Sequence, residues 1–313
     1  MTDWSFADVP DQTGRTAIVT GANTGIGFET ARMLALRGAR VILACRDQAK
    51  GNAALGSIVR ERADAAVQLC ELDLSDLDSV VTFSERMFAE HKRLDLLVNN
   101  AGVMVPPFSK TKQGFELQIG TNHLGHFALT ARLWPLLART PGSRVVVVSS
   151  AAAHDGRIGF DDLHFEHRRY RPWRAYGQSK LANSLFALEL ARRASTAETG
   201  VLVTAAHPGW TGTDLQRNTP IIRRLNALLA MSPAAGALPT LRAATDPRAA
   251  NGSYWGPAHL FELNGPPVTA KIPKRARDAR IAERLWTVSE QLTGVDFAVT
   301  PDNPTATQRA ARV

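Results

Sequence analysis

Residues Thr16 to Thr20 read TAIVT, and the chain runs directly from them into Gly21-Ala22-Asn23-Thr24-Gly25-Ile26-Gly27. The run before the glycines is apolar and β-branched, as in a strand buried on both faces. After them, Phe28, Ala31, Met33, Ala35 and Leu36 follow a helical pattern. Strand, tight turn and helix in immediate succession leave few folds open. Gly21 allows the turn, Gly25 lets a ligand approach the backbone, and Gly27 allows close helix packing. Exposed amides at the helix N-terminus favour a pyrophosphate. The spacing Gly-x3-Gly-x-Gly differs from the Gly-x-Gly-x-x-Gly fingerprint. A glycine turn at a helix start is often only structural, so the rest of the chain must decide.

Further candidate strands lie at 39–45, 66–71, 94–98, 143–149, 200–206 and about 253–257, after the first at 15–20. Helices are expected near 25–37, 47–62, 76–91, 114–138, 176–194, 234–245 and 277–292. This alternation predicts an α/β protein: a single doubly wound parallel sheet, the Rossmann fold, with helices on both faces. No linker breaks it, so one domain is expected over 14–298, with an N-terminal extension over 1–13 and a C-terminal tail over 299–313. The second strand ends at Cys45-Arg46-Asp47. That is where an acid would hold a ribose 2′-hydroxyl or an arginine a 2′-phosphate. Arg46 is permanently charged and can make two parallel bonds to phosphate, which favours NADP(H) over the alternative of a solvated surface arginine with Asp47 capping the next helix.

Composition excludes more than it proves. The net charge of +8 comes mostly from scattered arginines. No dense basic tract interleaves with aromatics, so nucleic-acid binding is not expected. Cys45 and Cys70 both end apolar runs and read as buried thiols. No zinc spacing occurs, His164 and His167 lack nearby ligand partners, and no metal is expected. The N-terminus has no apolar signal core. The apolar stretch Leu225 to Leu241 is broken by Pro233, Gly236 and Pro239, so it is a poor membrane span. A cytoplasmic protein is the expectation.

The chemistry sits downstream. Residues 145–148 (VVVV) form a buried strand ending at Ser149-Ser150, and ligands of such sheets bind beyond the carboxyl ends of strands. Both serines qualify on position. Tyr176 and Lys180 share a helix face in YGQSK. A phenol of pKa near ~10 exchanges protons poorly at neutral pH, and a neighbouring ammonium lowers that value, making Tyr176 a general acid or base. An isolated YxxxK match is usually accidental. Here Asn99-Asn100-Ala101-Gly102 also follows a strand, Asn122 lies in a helical region, and Pro208 to Thr213 follows the strand at 201–206.

Together TGANTGIG at 20–27, NNAG at 99–102, Asn122, Ser150, YGQSK at 176–180 and HPGWTGT at 207–213 resemble the short-chain dehydrogenase/reductase family. The resemblance covers about residues 14–260. ACRD at 44–47, NHLGHF at 122–127 and SKLAN at 179–183 are similar to its retinol dehydrogenase and protochlorophyllide reductase-like branch. The resemblance implies NADP(H) as cofactor and Tyr176 as proton donor in reduction. It implies that Lys180 lowers the tyrosine pKa and binds the nicotinamide ribose. Ser150 would hold the substrate oxygen, and Asn122 a water in a proton relay. Gly21, Asn23, Thr24, Gly25, Ile26 and Gly27 would meet the phosphates, and Asp73 with Leu74 the adenine. Asn100, Ala101 and Gly102 would shape the ribose side. Pro208, Gly209, Thr211 and Thr213 would hold the carboxamide and pyrophosphate.

The segment from His154 to Ala175 is longer than the family's common spacing. It either alters subunit packing, leaving a homo-oligomer open, or lines the pocket entrance. Segment 214–241 carries Leu215, Ile221, Ile222, Leu225, Leu228, Leu229 and Met231. It reads as a substrate lid, implying an apolar carbonyl or alcohol substrate, or as a helix packed on the body. Two rivals remain: a cofactor-sensing binding protein without turnover, and a protochlorophyllide-type double-bond reductase.

Overall fold

The computed structural model describes residues 3–211 and 230–300. Among them an eight-stranded sheet runs in the order β3-β2-β1-β4-β5-β6-β7-β8. Its strands are β1 (Thr16–Thr20), β2 (Arg40–Cys45), β3 (Val67–Glu71), β4 (Leu96–Asn99), β5 (Arg144–Val148), β6 (Leu202–Ala206), β7 (Tyr254–His259) and β8 (Asn264–Thr269). All neighbours pair in parallel except β7 and β8. The strand order reverses between β1 and β4, which opens a crevice at their carboxyl ends.

Period-two alternation sends each central strand into two cores. From β5, Val145 and Val147 enter the core under α3 (Leu77–Glu90), α5 (Gly125–Ala138) and α6 (Pro172–Thr196). Val146 and Val148 enter the opposite core with α1 (Gly25–Leu36), α2 (Gln48–Glu61) and α7 (Pro233–Thr245). Helices therefore cover both faces, as the unbroken apolar strands require. A last helix, α8 (Ala279–Thr293), packs Leu285 onto the α6 side. Trp4 and Val9, within the expected N-terminal extension, are buried in the second core.

Four elements differ from the sequence reading. The helix expected over 114–138 is a short α4 (Leu117–Ile119), a π-turn at Gly120–Leu124, and then α5. Helix α6 begins at Pro172 instead of 176, with proline in its first turn where its missing N–H costs nothing. Strand β8 escaped notice because Pro266 and Pro267 demote the run NGPPVT; as the edge of the sheet it tolerates them. Residues 214–229 of the lid segment 214–241, and Thr213 before it, lie outside the described residues. Its remainder includes α7, whose Gly236, Ala237 and Leu241 are buried in the body. That part is a packed helix.

Candidate active site

The carboxyl ends of the central strands enclose a cleft of about 280 Å³. Its walls include Gly21, Asn23, Thr24, Gly25, Ile26, Gly27, Arg46, Asp73, Leu74, Asn100, Ala101, Gly102, Tyr176, Lys180 and Pro208. The glycine turn is shaped as its spacing implies. Gly21 takes a φ of 66°, and a Cβ on Gly27 would strike the Gly21 carbonyl and the Asn100 side chain. Only bare backbone fits there, and it leaves the first turn of α1 open toward the cleft. Gly209 and Thr211 stand behind the wall. Thr211 Oγ1 donates to the Pro208 carbonyl at 2.9 Å and so braces that loop.

At the far end of β2, Arg46 is well exposed and lies 3.7 Å from Asp73 across the cleft. Asp47 is spent locally: its carboxylate caps α2 by accepting the Lys50 amide at 3.0 Å and meets Lys50 Nζ at 3.5 Å. Lys50 also lines the cleft. The sequence reading passed over it, although a lysine one turn beyond Arg46 on a predicted helix faces the same way.

The two serines at the end of β5 part company. Ser149 Oγ donates to the Lys180 carbonyl at 2.8 Å and meets Ser184 Oγ at 2.9 Å, so it staples α6 to the strand. Ser150 caps the following turn, its Oγ accepting from Ala152 N at 3.3 Å, and its hydroxyl lies near enough to the Tyr176 phenol to favour the phenolate. Tyr176 is 8% and Lys180 5% exposed. Lys180 Nζ donates to the Val148 carbonyl at 3.2 Å, lies 5.9 Å from the centroid of the Tyr176 ring, and stands beside Gly102. Burial dominates the electrostatics of the pair. It pushes the Tyr176 phenol above its ordinary value, with the nearby Ser150 hydroxyl pulling the other way. It pulls Lys180 down to about 8. Both shifts disfavour the charged form, and at that separation the ammonium does not offset the burial of the phenol.

Asn122 is fully buried in the π-turn. Its Oδ1 accepts from Val103 N at 2.8 Å, and its Nδ2 donates to the Val103 carbonyl at 3.0 Å and Ser179 Oγ at 2.9 Å. The side chain thereby ties the loop after β4 to α6, next to Tyr176 and Lys180.

The insertion from His154 to Ala175 packs on its own chain. Gln178 of α6 accepts from Gly159 N at 3.0 Å and donates to the Leu163 carbonyl at 2.9 Å. The Tyr170 hydroxyl accepts from Gln118 at 2.9 Å. His164 accepts the Glu116 amide at 3.3 Å and stacks on Phe115. Two aromatics stay exposed near the insertion: Trp173, 47% exposed, with its ring edge-on to Tyr176 at 6.2 Å, and Phe108, 45% exposed, against Tyr170.

The model of the short chain dehydrogenase family matches residues 15–221. The chain belongs to the short-chain dehydrogenase family. Retinol dehydrogenase 12 of Mus musculus is 43% identical over 289 residues, covering 91% of this chain and 88% of that protein. The chain thus falls in the retinol dehydrogenase-like branch of these oxidoreductases. A crystal structure of an uncharacterized protein from Mycobacterium paratuberculosis is 44% identical, with a TM-score of 0.81 over 95% of this chain and 99% of that one. A short chain dehydrogenase from Escherichia coli CFT073, complexed with NADPH, is 26% identical, with a TM-score of 0.64 over 78% of this chain and 96% of its own. No helix among the described residues is long and apolar enough to cross a membrane.

Proposed function

We propose that the chain interconverts a carbonyl and an alcohol on a lipophilic small molecule, using NADP(H). The observation carrying this reading is one cleft that holds a glycine cradle and a cation pair at one end. At the other it holds the buried Tyr176 and Lys180, with the Ser150 hydroxyl near the phenol.

The cradle fits a pyrophosphate because Gly25, Ile26 and Gly27, the first turn of α1, line the cleft with the helix N-terminus. Arg46 and Lys50 suit a 2′-phosphate, whereas Asp47 is committed to its helix cap and is not free for a ribose diol. Asp73 and Leu74 border the adenine side, and Asn100 to Gly102 the ribose. Pro208, Gly209 and Thr211, with Thr213 beyond the described residues, are assigned the carboxamide side. When bound, the nicotinamide supplies or accepts the hydride. Tyr176 gives its hydroxyl proton to the substrate oxygen in reduction and takes it back in oxidation, while Ser150 holds that oxygen in place. Lys180 binds the ribose beside Gly102, and its charge favours loss of the tyrosine proton. Asn122 fixes the loop that carries these contacts. Trp173 offers apolar surface beside Tyr176, and Phe108 beside Tyr170. Together with the name of the relative in Mus musculus, they make a long-chain or retinoid-like aldehyde the first substrate to try.

Tyr176→Phe tests the reading. It keeps the ring and removes the transferable proton, so turnover is expected to fall about 10²–10⁴-fold while NADPH still binds by fluorescence titration. Near wild-type turnover in this variant would place the proton donor elsewhere.

A further inference from the structure

His126, one turn beyond Asn122 in α5, touches neither the cleft nor the tyrosine, yet both of its nitrogens are engaged. Nδ1 lies 2.9 Å from the Asn122 carbonyl and Nε2 lies 2.9 Å from Thr20 Oγ1. A carbonyl can only accept, so Nδ1 carries the proton. The ring is 1% exposed, and burial holds its pKa down at about 4. It is therefore neutral, and Nε2 must accept the Thr20 hydroxyl proton. Having given that proton away, Thr20 Oγ1 turns its lone pairs to the amides of Asn100 and Ala101, both at 2.9 Å.

The four residues from Asn100 to Val103 are thus held at two points. Thr20 grips the first pair of amides, and the Asn122 side chain grips Val103 at both its N–H and its carbonyl. His126 joins the two grips. Without it, the other acceptor among the described residues within reach of the Thr20 hydroxyl is the Val98 carbonyl at 3.3 Å. Turning there would swing the lone pairs away from the amides.

We propose that His126 is a positioning residue whose single tautomer locks Thr20 to the Asn122 carbonyl and so sets the shape of the loop from Asn100 to Val103 against the cofactor. The part concerning the cofactor rests on the proposed use of NADP(H); the lock itself does not. The tautomer and the loop's rigidity can be read without any ligand.

Nitrogen-15 NMR of the intact protein should show His126 as the Nδ1–H tautomer, neutral through pH 6. An Nε2–H tautomer would overturn the proposal. His126→Phe fills the space and removes both bonds. Hydrogen exchange at Asn100 and Ala101 should speed at least tenfold, while Val145 to Val147 stay protected. Unchanged exchange in the folded variant would overturn the proposal. If His126→Phe does not fold, Thr20→Val and Thr20→Ser carry the same comparison from the other end: valine should release the two amides and serine should keep them protected. Where wild-type protein turns over, the KM for NADPH should rise about tenfold in His126→Phe, with kcat within about threefold. A fall in kcat at unchanged KM would place His126 in the chemistry and overturn the positioning role. Wild-type protein that binds no NADPH would sink the proposed function and leave the tautomer and exchange results to judge the lock.

Discussion

Lys180 is buried at a cost to stability whose size follows from its surroundings. The residue is 5% exposed, and burial pulls its pKa from an ordinary 10.5 to about 8. At ~1.36 kcal/mol per pH unit, carrying the proton in the folded state costs roughly 3 kcal/mol at neutral pH. Lys180→Met keeps the length of the side chain and removes the amine. It loses the hydrogen bond to the Val148 carbonyl, worth about 1 kcal/mol net. That carbonyl is not orphaned, because Asn183 Nδ2 still donates to it at 3.1 Å. The variant is therefore expected to be about 2 kcal/mol more stable than wild type at pH 7, on the order of these two contributions, while losing activity. The pH dependence identifies the cause. Between the folded value of about 8 and the unfolded value of 10.5, the unfolded chain binds more protons. Wild-type stability therefore rises with pH across that window relative to the variant. Urea denaturation of both proteins from pH 6 to pH 10.5 should show a constant gap up to about pH 8. By the upper limit wild type should have gained roughly 3 kcal/mol, which reverses the gap to about 1 kcal/mol in its own favour. A gap that stays flat over the whole range, or a variant already less stable at pH 7, would refute the argument that Lys180 is held charged against its surroundings.

Arg46→Ala should lower the preference for NADPH over NADH about tenfold to a hundredfold, the loss of a charge-assisted bond worth ~1.5–3 kcal/mol; parallel titrations of both cofactors measure it. Gly27→Ala should cost about 1–3 kcal/mol by overpacking, because its methyl meets the Gly21 carbonyl and Asn100, with NADPH affinity falling alongside the melting temperature. Trp173→Ala should raise KM for a long-chain aldehyde several-fold and leave a short-chain aldehyde unaffected, since the indole touches the Tyr176 ring only at its edge; equal changes for both would remove Trp173 from the substrate surface.

Local pattern carried the scaffold. Alternating strands and helices, the glycine turn and the motifs at the strand ends are all short-range features, encoded in spacing that a chain cannot hide. They suffice to place Gly21 to Gly27, Asn100 to Gly102, Tyr176 and Lys180 around one crevice. Properties that depend on distant segments meeting were decided only in three dimensions. Ser149 and Ser150 are equivalent by position, and they separate only because Lys180 and Ser184 of α6 engage the first hydroxyl. The spacing of Tyr176 and Lys180 suggests mutual stabilisation of charge, yet burial under the surrounding elements moves both toward neutrality. The π-turn around Asn122 looks like plain helix in sequence, because its residues have helical periodicity until Gly125 reaches back to the Gly120 carbonyl. The partnership of His126 with Thr20 spans more than a hundred residues. A sequence shows which atoms are neighbours along the chain, and only folding shows which are removed from water together.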